Sequence, residues 1–258
     1  MSLLISEEGT FVQEKSTYEL TEVVRLFPVP IHVAIAMDGN RRWAGKRFLP
    51  AFVGHWRGAD VITKIVSSCS KIGIKVLTLY AFSTENWSRS ENEVNELFKV
   101  FAYYLKKNLN FMIQEGVRLN CIGDLTRLPK KLQTEIEYAK QQTQHGEVID
   151  LVLAINYGGR DEIRRAITSI VNDCEKGLLK KEDISEDLIS KYLDTARWND
   201  PDLFIRTSGE QRLSNFLLWQ FSYTEVYITK TLWPDFDEKD LFQAVIEYQK
   251  RERRLGGV

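Results

Sequence analysis

An alternation constrains this chain more than any other feature: short apolar, β-compatible runs are separated by longer stretches with the period of an amphipathic helix. The runs cover Val33 to Met37, Val76 to Phe82, Arg118 to Ile122, Leu151 to Asn156, Leu203 to Arg206 and Val226 to Thr229. Between them, helical periodicity covers His55 to Lys71, Glu91 to Gln114, Lys130 to Gln144, Arg160 to Cys174, Ser185 to Tyr192 and Glu238 to Arg254. Strands that are apolar on both faces need cover on both sides, and parallel neighbours need crossover connections. The pattern therefore predicts an α/β fold, with a mostly parallel central sheet of about six strands flanked by helices. Residues 1–30 lack sustained periodicity and read as a partly helical lead-in, so the folded domain is placed at 31–258. Lys176 to Lys181 is the best interior linker candidate, too short to mark a boundary.

At 258 residues the chain is long enough for a substantial core. Lys and Arg total 35 against 36 for Asp and Glu, so nothing in the overall charge predicts a nucleic-acid binder, and any anion site must be built locally. Cys69, Cys121 and Cys174 are far apart, odd in number and lack metal-ligand spacing, which reads as reduced structural thiols in a cytoplasmic protein. No run approaches the length of a membrane span, and the polar, acidic N-terminus does not resemble a signal peptide. Any membrane contact is expected from the surface, at the inner face.

Three polar clusters follow strand-like runs, where open α/β sheets bind ligands. The first is Asp38-Gly39-Asn40-Arg41-Arg42-Trp43: the acid offers hard oxygen to a divalent cation, Gly39 permits close backbone approach, and the guanidiniums can pair with phosphate oxygens. The second is Tyr80 to Arg89, in which Ser83, Asn86 and Arg89 can donate to anions and Trp87 supplies an apolar wall. The third is Arg206 to Phe216, where Arg206, Arg212 and Ser214 make a second phosphate cradle. Glu225 then introduces the last run and could supply a second carboxylate to a metal. Each cluster also has a plain structural reading: Asp-Gly-Asn is an ordinary turn, Ser-x-x-Asn and Ser90 are helix caps, and Glu225 is a salt-bridged surface acid. The broad apolar face of Glu91 to Gln114 suits a buried core helix as well as the wall of a hydrophobic tunnel.

There is no dinucleotide fingerprint, nucleophile elbow or zinc-protease motif, and Gly39 to Lys46 has the wrong spacing for a P-loop. His32, His55 and His145 are too scattered for a histidine metal site. His55 nonetheless follows Gly54 at a predicted helix start close to the first cluster.

Taken with Asn156-Tyr-Gly-Gly-Arg160, Leu232-Trp-Pro-Asp-Phe236 and Arg251-Glu-Arg-Arg254, the three clusters resemble the cis-prenyltransferase family from residue 31 to the C-terminus. The resemblance implies an Mg²⁺-dependent homodimer with a hydrophobic product tunnel. It implies that isopentenyl diphosphate units are added to an allylic primer, farnesyl diphosphate, with cis geometry. The expected product is a long polyprenyl diphosphate of the undecaprenyl type, a cell-wall lipid carrier. By position it implies Asp38 and Glu225 as metal ligands, with Gly39, Asn40, Arg41, Arg42, Trp43 and His55 around the allylic diphosphate. Ser83, Thr84, Glu85, Trp87 and Arg89 match further substrate positions, and Asn86 matches the residue assigned to proton removal. Arg206, Arg212, Leu213 and Ser214 match the isopentenyl diphosphate site. The chain departs from the family pattern at Ala51, where many relatives carry a phosphate-contacting arginine, and Arg41 or Arg47 is expected to offset it. Gln211 stands where some members have histidine. Other chain lengths, a non-catalytic partner subunit and a nucleotide-binding protein are the alternative readings.

Overall fold

The computed structural model describes residues 3–5, 11–13 and 16–252. Two three-residue strands, β1 (Leu3–Ile5) and β2 (Phe11–Gln13), pair antiparallel, and α1 (Thr17–Arg25) follows, capped by Ser16. The main sheet has six strands: β3 (His32–Ala36), β4 (Val76–Ser83), β5 (Val117–Ile122), β6 (Ile149–Tyr157), β7 (Leu203–Arg206) and β8 (Glu225–Ile228). Their order is β5-β6-β4-β3-β7-β8 and every pairing is parallel, as the alternation predicts. Among the described residues seven helices accompany them: α2 (Asn40–Gly45), α3 (Ala51–Ile72), α4 (Glu91–Gln114), α5 (Lys130–Thr143), α6 (Gly159–Glu175), α7 (Glu186–Tyr192) and α8 (Glu238–Gln249).

Period-two alternation assigns each strand residue to a face. Val33 and Ile35 of β3, Leu151, Leu153 and Ile155 of β6, and Leu203 and Ile205 of β7 join the large core under α3, α4, α5 and α8. Ala34, Ala36, Val152, Ala154 and Phe204 face the other side, where Tyr157, Phe216 and Leu217 cover them. The central strands are buried on both faces, which is why they read as unbroken apolar runs.

Packing begins before residue 31. Val24 of α1 is fully buried, and Gln249 Nε2 of α8 donates to the Val24 and Phe27 carbonyls (2.8 and 3.0 Å). The helix predicted to run to Arg254 ends at Gln249, and Arg253 and Arg254 lie outside the described residues. Among the described residues no helix is long and apolar enough to cross a membrane.

Candidate active site

β3 has β4 on one side and β7 on the other, so the segments that follow these three strands converge at one sheet edge. Asp38, Ser83, Glu85, Asn86, Arg89, Arg206, Arg212 and Ser214 line a single cleft of about 500 Å³ there, with Asn40 and His55. Clusters as far apart in sequence as Asp38 and Ser214 thus form one site.

At its centre Asp38 Oδ2 accepts two bonds from Arg206, from Nη2 (2.6 Å) and Nε (3.0 Å). Arg206 is only 4% exposed, against 39% for the Asp38 side chain. Its remaining donors reach Ser214 Oγ (3.1 Å) and the Arg212 carbonyl. Thr207 fixes the Asp38 backbone, its hydroxyl accepting from Asp38 N (2.8 Å) and donating to Asp38 O (2.7 Å). The Asp38 carboxylate is therefore aimed, and its Oδ1 has no protein partner among the described residues. An oxygen presented this way suits Mg²⁺, which binds one or two carboxylates and completes its shell with phosphate and water. Among the described residues no group of three acids, histidines or cysteines is arranged to hold a metal without a substrate.

Two further carboxylates hold the other guanidiniums. Glu210 binds Arg42 Nη2 (2.5 Å) and Arg212 Nη1, while Arg42 Nη1 also donates to the Ser208 carbonyl (3.1 Å). Glu93, at the start of α4, binds Arg89 Nη1 at 3.0 Å and lies 3.7 Å from His55 Nε2. Burial and then the Arg89 charge push the His55 imidazole down to about 4, against the opposing pull of Glu93, so the ring is neutral at pH 7. Glu93 was not singled out from the sequence; Ser90-x-x-Glu93 signals a helix cap, and Ser90 does cap α4.

The loop bearing Arg212 and Ser214 is wound tightly. Ser208, Ser214, Asn215 and Leu217 all have positive φ, a strain that persists only where surroundings enforce it. Asn215 supplies much of that enforcement: its carbonyl accepts from Gly159 N (2.7 Å), and its side chain bridges Arg160 N (2.9 Å) and Glu85 (2.7 Å). Burial alone would raise the Glu85 pKa. The Asn215 amide and the Ser83 and Thr84 hydroxyls outweigh it, holding the carboxyl below its ordinary value.

Asn40 owes its position to two glycines of α3. A Cβ at Gly54 would lie 2.0 Å from the Asn40 carbonyl, and one at Gly58 would lie 2.4 Å from Asn40 Oδ1, so α2 can seat against α3 only there. Asn40 Oδ1 and His55 Nε2 are both buried without a hydrogen-bond partner among the described residues. Both also border a second, apolar slot between α3 and α4, walled by Ile62, Val100, Phe101 and Trp233. Met37, Ala81 and Leu97 are shared with the cleft, so polar mouth and apolar slot are continuous. At about 60 Å³ the slot is roughly two waters in size, far short of a product tunnel.

Other expected site residues point elsewhere. Trp43 Nε1 donates to Asp235 (2.6 Å), and Arg47 stacks on Trp43 while also binding Asp235, outside the lining of the cleft. Arg41 is largely exposed, 3.9 Å from Glu93. Trp87 Nε1 donates to Asn156 Oδ1 (2.7 Å) and packs edge-on against Phe82 and Phe98. Thr84 abuts Gly158, Leu213 packs on the smaller core, and Gly39 (φ 109°) lets the chain pass Leu232 closely rather than serving the cleft. Asn86 Oδ1 accepts from Ser83 N (3.1 Å), the capping role, leaving its N–H₂ as the group it can offer the cleft.

Glu225 stands apart from the cleft within this chain. It pairs in register with Leu203 at the start of β8, whereas Arg206 pairs with Ala36 at the opposite edge, where Asp38 stands. Its carboxylate binds Arg251 Nη1 (2.6 Å), and within the chain it does not meet Asp38.

The undecaprenyl diphosphate synthase (prenyltransferase) family model matches residues 36–256. The isoprenyl transferase of Chlamydia trachomatis is 48% identical over 99% of this chain and all of its own length. Among solved structures, lavandulyl diphosphate synthase from Lavandula x intermedia, in complex with dimethylallyl diphosphate, superposes with a TM-score of 0.85 at 40% identity, covering 87% of this chain and 97% of that one. A probable undecaprenyl diphosphate synthase from Campylobacter jejuni superposes with a TM-score of 0.75 at 34% identity, over 89% and 99%. Fold, site placement and full-length similarity agree: the chain belongs to the isoprenyl transferase (undecaprenyl diphosphate synthase) family.

Proposed function

We propose that this protein condenses isopentenyl diphosphate onto an allylic diphosphate, with farnesyl diphosphate as primer, and makes a long cis-polyprenyl diphosphate. Undecaprenyl diphosphate, the lipid carrier of cell-wall synthesis, is the product this reading favours. The observation that carries it is the joining of the two spaces: a mouth built for anions opens directly onto an apolar slot. A diphosphate with a hydrocarbon tail matches that pair of environments.

The reaction requires a diphosphate to leave an allylic carbon while water is kept from the developing cation. Asn40, His55 and Arg89 are disposed to bind the allylic diphosphate, with neutral His55 acting as a hydrogen-bonding group rather than a charge. Mg²⁺, when bound, would be held by Asp38 together with substrate oxygens and would neutralise charge on the departing diphosphate. Arg206, Arg212 and Ser214 would hold the second diphosphate, fixing the isopentenyl double bond beside the allylic carbon. Met37, Ala81 and Leu97 supply the dry wall between mouth and slot. Asn86, whose carbonyl is already engaged, would orient a water or phosphate oxygen that accepts the proton; its amide is too weak a base to take it.

A growing chain requires the slot to enlarge by parting α3 from α4. Each methylene taken in contributes roughly 0.8 kcal/mol, enough to drive such an opening progressively. A homodimer is part of this reading, supported by edge strand β8, which leaves Val226 and Ile228 exposed. The test is incubation with radiolabelled isopentenyl diphosphate, farnesyl diphosphate and Mg²⁺, followed by butanol extraction and sizing. A cis product many isoprene units long is expected. No incorporation would leave a non-catalytic subunit; a product stopped after one or two additions would exclude the long-chain role.

A further inference from the structure

α2 ends in a pair of backbone bonds, Leu49 N to Ala44 O (2.9 Å) and Phe48 N to Gly45 O (3.1 Å), that form a Schellman-type cap. The residue enclosed by such a cap takes the left-handed conformation and is ordinarily glycine. Here it is Phe48, with φ 55°, and its side chain is 98% exposed. A bulky residue at positive φ is strained, and exposure denies this one any packing return within the chain. Phe48 lines neither the cleft nor the apolar slot.

Its neighbours extend the same chemistry. Leu49 and Phe52 are exposed, and Trp56, one turn beyond Phe52 on α3, meets Tyr103 of α4 edge-on, ring centroids 4.8 Å apart. Tyr103 is itself nearly half exposed. Cations flank this strip: Lys46 and Arg57 are exposed, and neither has a carboxylate within ion-pairing distance among the described residues. A protruding aromatic tip, a Trp–Tyr pair and unpaired cations are together the chemistry of a headgroup interface: aromatic rings enter the boundary region while basic side chains meet anionic lipid.

We infer that the α2–α3 turn, with Phe48 at its tip, docks this protein on an anionic bilayer. Charge complementarity selects that occupant: Lys46 and Arg57 have no ion-pair partner among the described residues, while the acids Asp235 and Asp60 are already engaged by Arg47 (3.2 Å) and Lys107 (2.9 Å). The turn joins the helices that carry Asn40 and His55, so the bilayer lies beside the walls of the cleft. This inference rests on the prenyl-elongating reading only for its purpose, the delivery of a lipid product; the binding itself needs no substrate.

The experiment is co-sedimentation of the full chain with vesicles of phosphatidylglycerol and phosphatidylcholine, and of phosphatidylcholine alone, without substrate. Phe48→Ser is expected to bind mixed vesicles about tenfold more weakly, the loss of one inserted aromatic side chain. Lys46→Ala and Arg57→Ala are each expected to weaken binding about fivefold on the anionic vesicles only. Phe48→Gly, which suits the backbone, should lose binding equally while its unfolding midpoint does not fall, separating docking from folding. Equal binding of wild type and Phe48→Ser would overturn the inference. So would loss of turnover by Phe48→Ser in a vesicle-free assay, which would make Phe48 a lid of the cleft, or loss of self-association in light scattering, which would make it a protein interface. A wild type that binds vesicles yet incorporates no isopentenyl diphosphate would refute the proposed function and leave the docking intact.

Discussion

Replacing Asp38 tests two roles that geometry assigns to one carboxylate: orienting buried Arg206 and presenting Oδ1 to the cleft. Removing one member of a buried ion pair costs about 3–5 kcal/mol. Asp38 is 39% exposed, so water can reach the guanidinium, and Arg206 keeps Ser214 and the Arg212 carbonyl as acceptors. The discounted cost for Asp38→Ala is about 1–2 kcal/mol, or roughly 2–8 °C in melting temperature for a chain of this size. Asp38→Asn keeps an oxygen that accepts from Arg206 and should lose less than about 1 kcal/mol. Both variants lose the charge that the departing diphosphate requires, and turnover should fall about 10²–10³-fold in each. Scanning calorimetry paired with the radiolabelled assay reads both quantities. Asp38→Asn turning over at near wild-type rate would refute the metal role; Asp38→Ala melting at the wild-type temperature would refute the dependence of Arg206 on it.

Four further outcomes are expected. Arg212→Ala should raise KM for isopentenyl diphosphate about 10–100-fold with little change for farnesyl diphosphate, since its backbone carbonyl still serves Arg206; steady-state kinetics showing only an allylic effect would reverse the assignment. Ala51 lies one turn before His55 on α3, and Arg47 is occupied by Asp235, so Ala51→Arg should lower KM for farnesyl diphosphate; an unchanged KM would show that another group already fills the role. Glu225→Gln and Arg251→Ala should each be mildly destabilising and couple by about 0.5–1 kcal/mol in a double-mutant cycle of urea unfolding, and strict additivity would count against their ion pair. His32 is buried, bonded to the Asn199 carbonyl and Thr78, and burial pushes its pKa from 6.5 down to about 4. The folded state therefore favours the neutral ring, and its contribution, complete above about pH 6.5, is lost as pH falls toward 4. That is about 3 kcal/mol in all and about 2 by pH 5, which urea midpoints of wild type and His32→Gln should reveal as a flatter pH profile in the variant.

What was legible follows from range. β7 falls where predicted and β3, β4, β5, β6 and β8 within one or two residues, because an apolar run bounded by polar residues is a local signal. α2 was missed: Asn40–Gly45 is short, follows a glycine at φ 109° and seats against Gly54 and Gly58 of another helix. Strand polarity located Asp38, Ser83 and Arg206 at one edge, and applied consistently it places Glu225, which begins its strand instead of following it, at the other. The directions of Trp43 and Trp87 were not legible. Their partners, Asp235 and Asn156, are 192 and 69 residues away, and no local pattern encodes such a bond.

The near-neutral composition and the anion site are two sides of one device. In the cleft Arg206 is bound by Asp38, Arg42 and Arg212 by Glu210, and Arg89 by Glu93. These carboxylates hold the guanidiniums in place and remove the repulsion that would otherwise scatter them, so the site is assembled before any phosphate arrives. Binding is then an exchange of one anion for another, and its net free energy is smaller than four free arginines would give. The gain is in geometry: the guanidiniums are already oriented when the diphosphate enters, so less side-chain entropy is lost at that moment. Like Asp38 through Arg206, Glu210 joins the two halves of the mouth, through Arg42 of α2 and Arg212 of the isopentenyl loop. A diphosphate that draws Arg212 away from Glu210 leaves that carboxylate to Arg42 alone, so filling the isopentenyl side strengthens the hold on Arg42 at the allylic side, and the apparent affinities of the two substrates are linked through it.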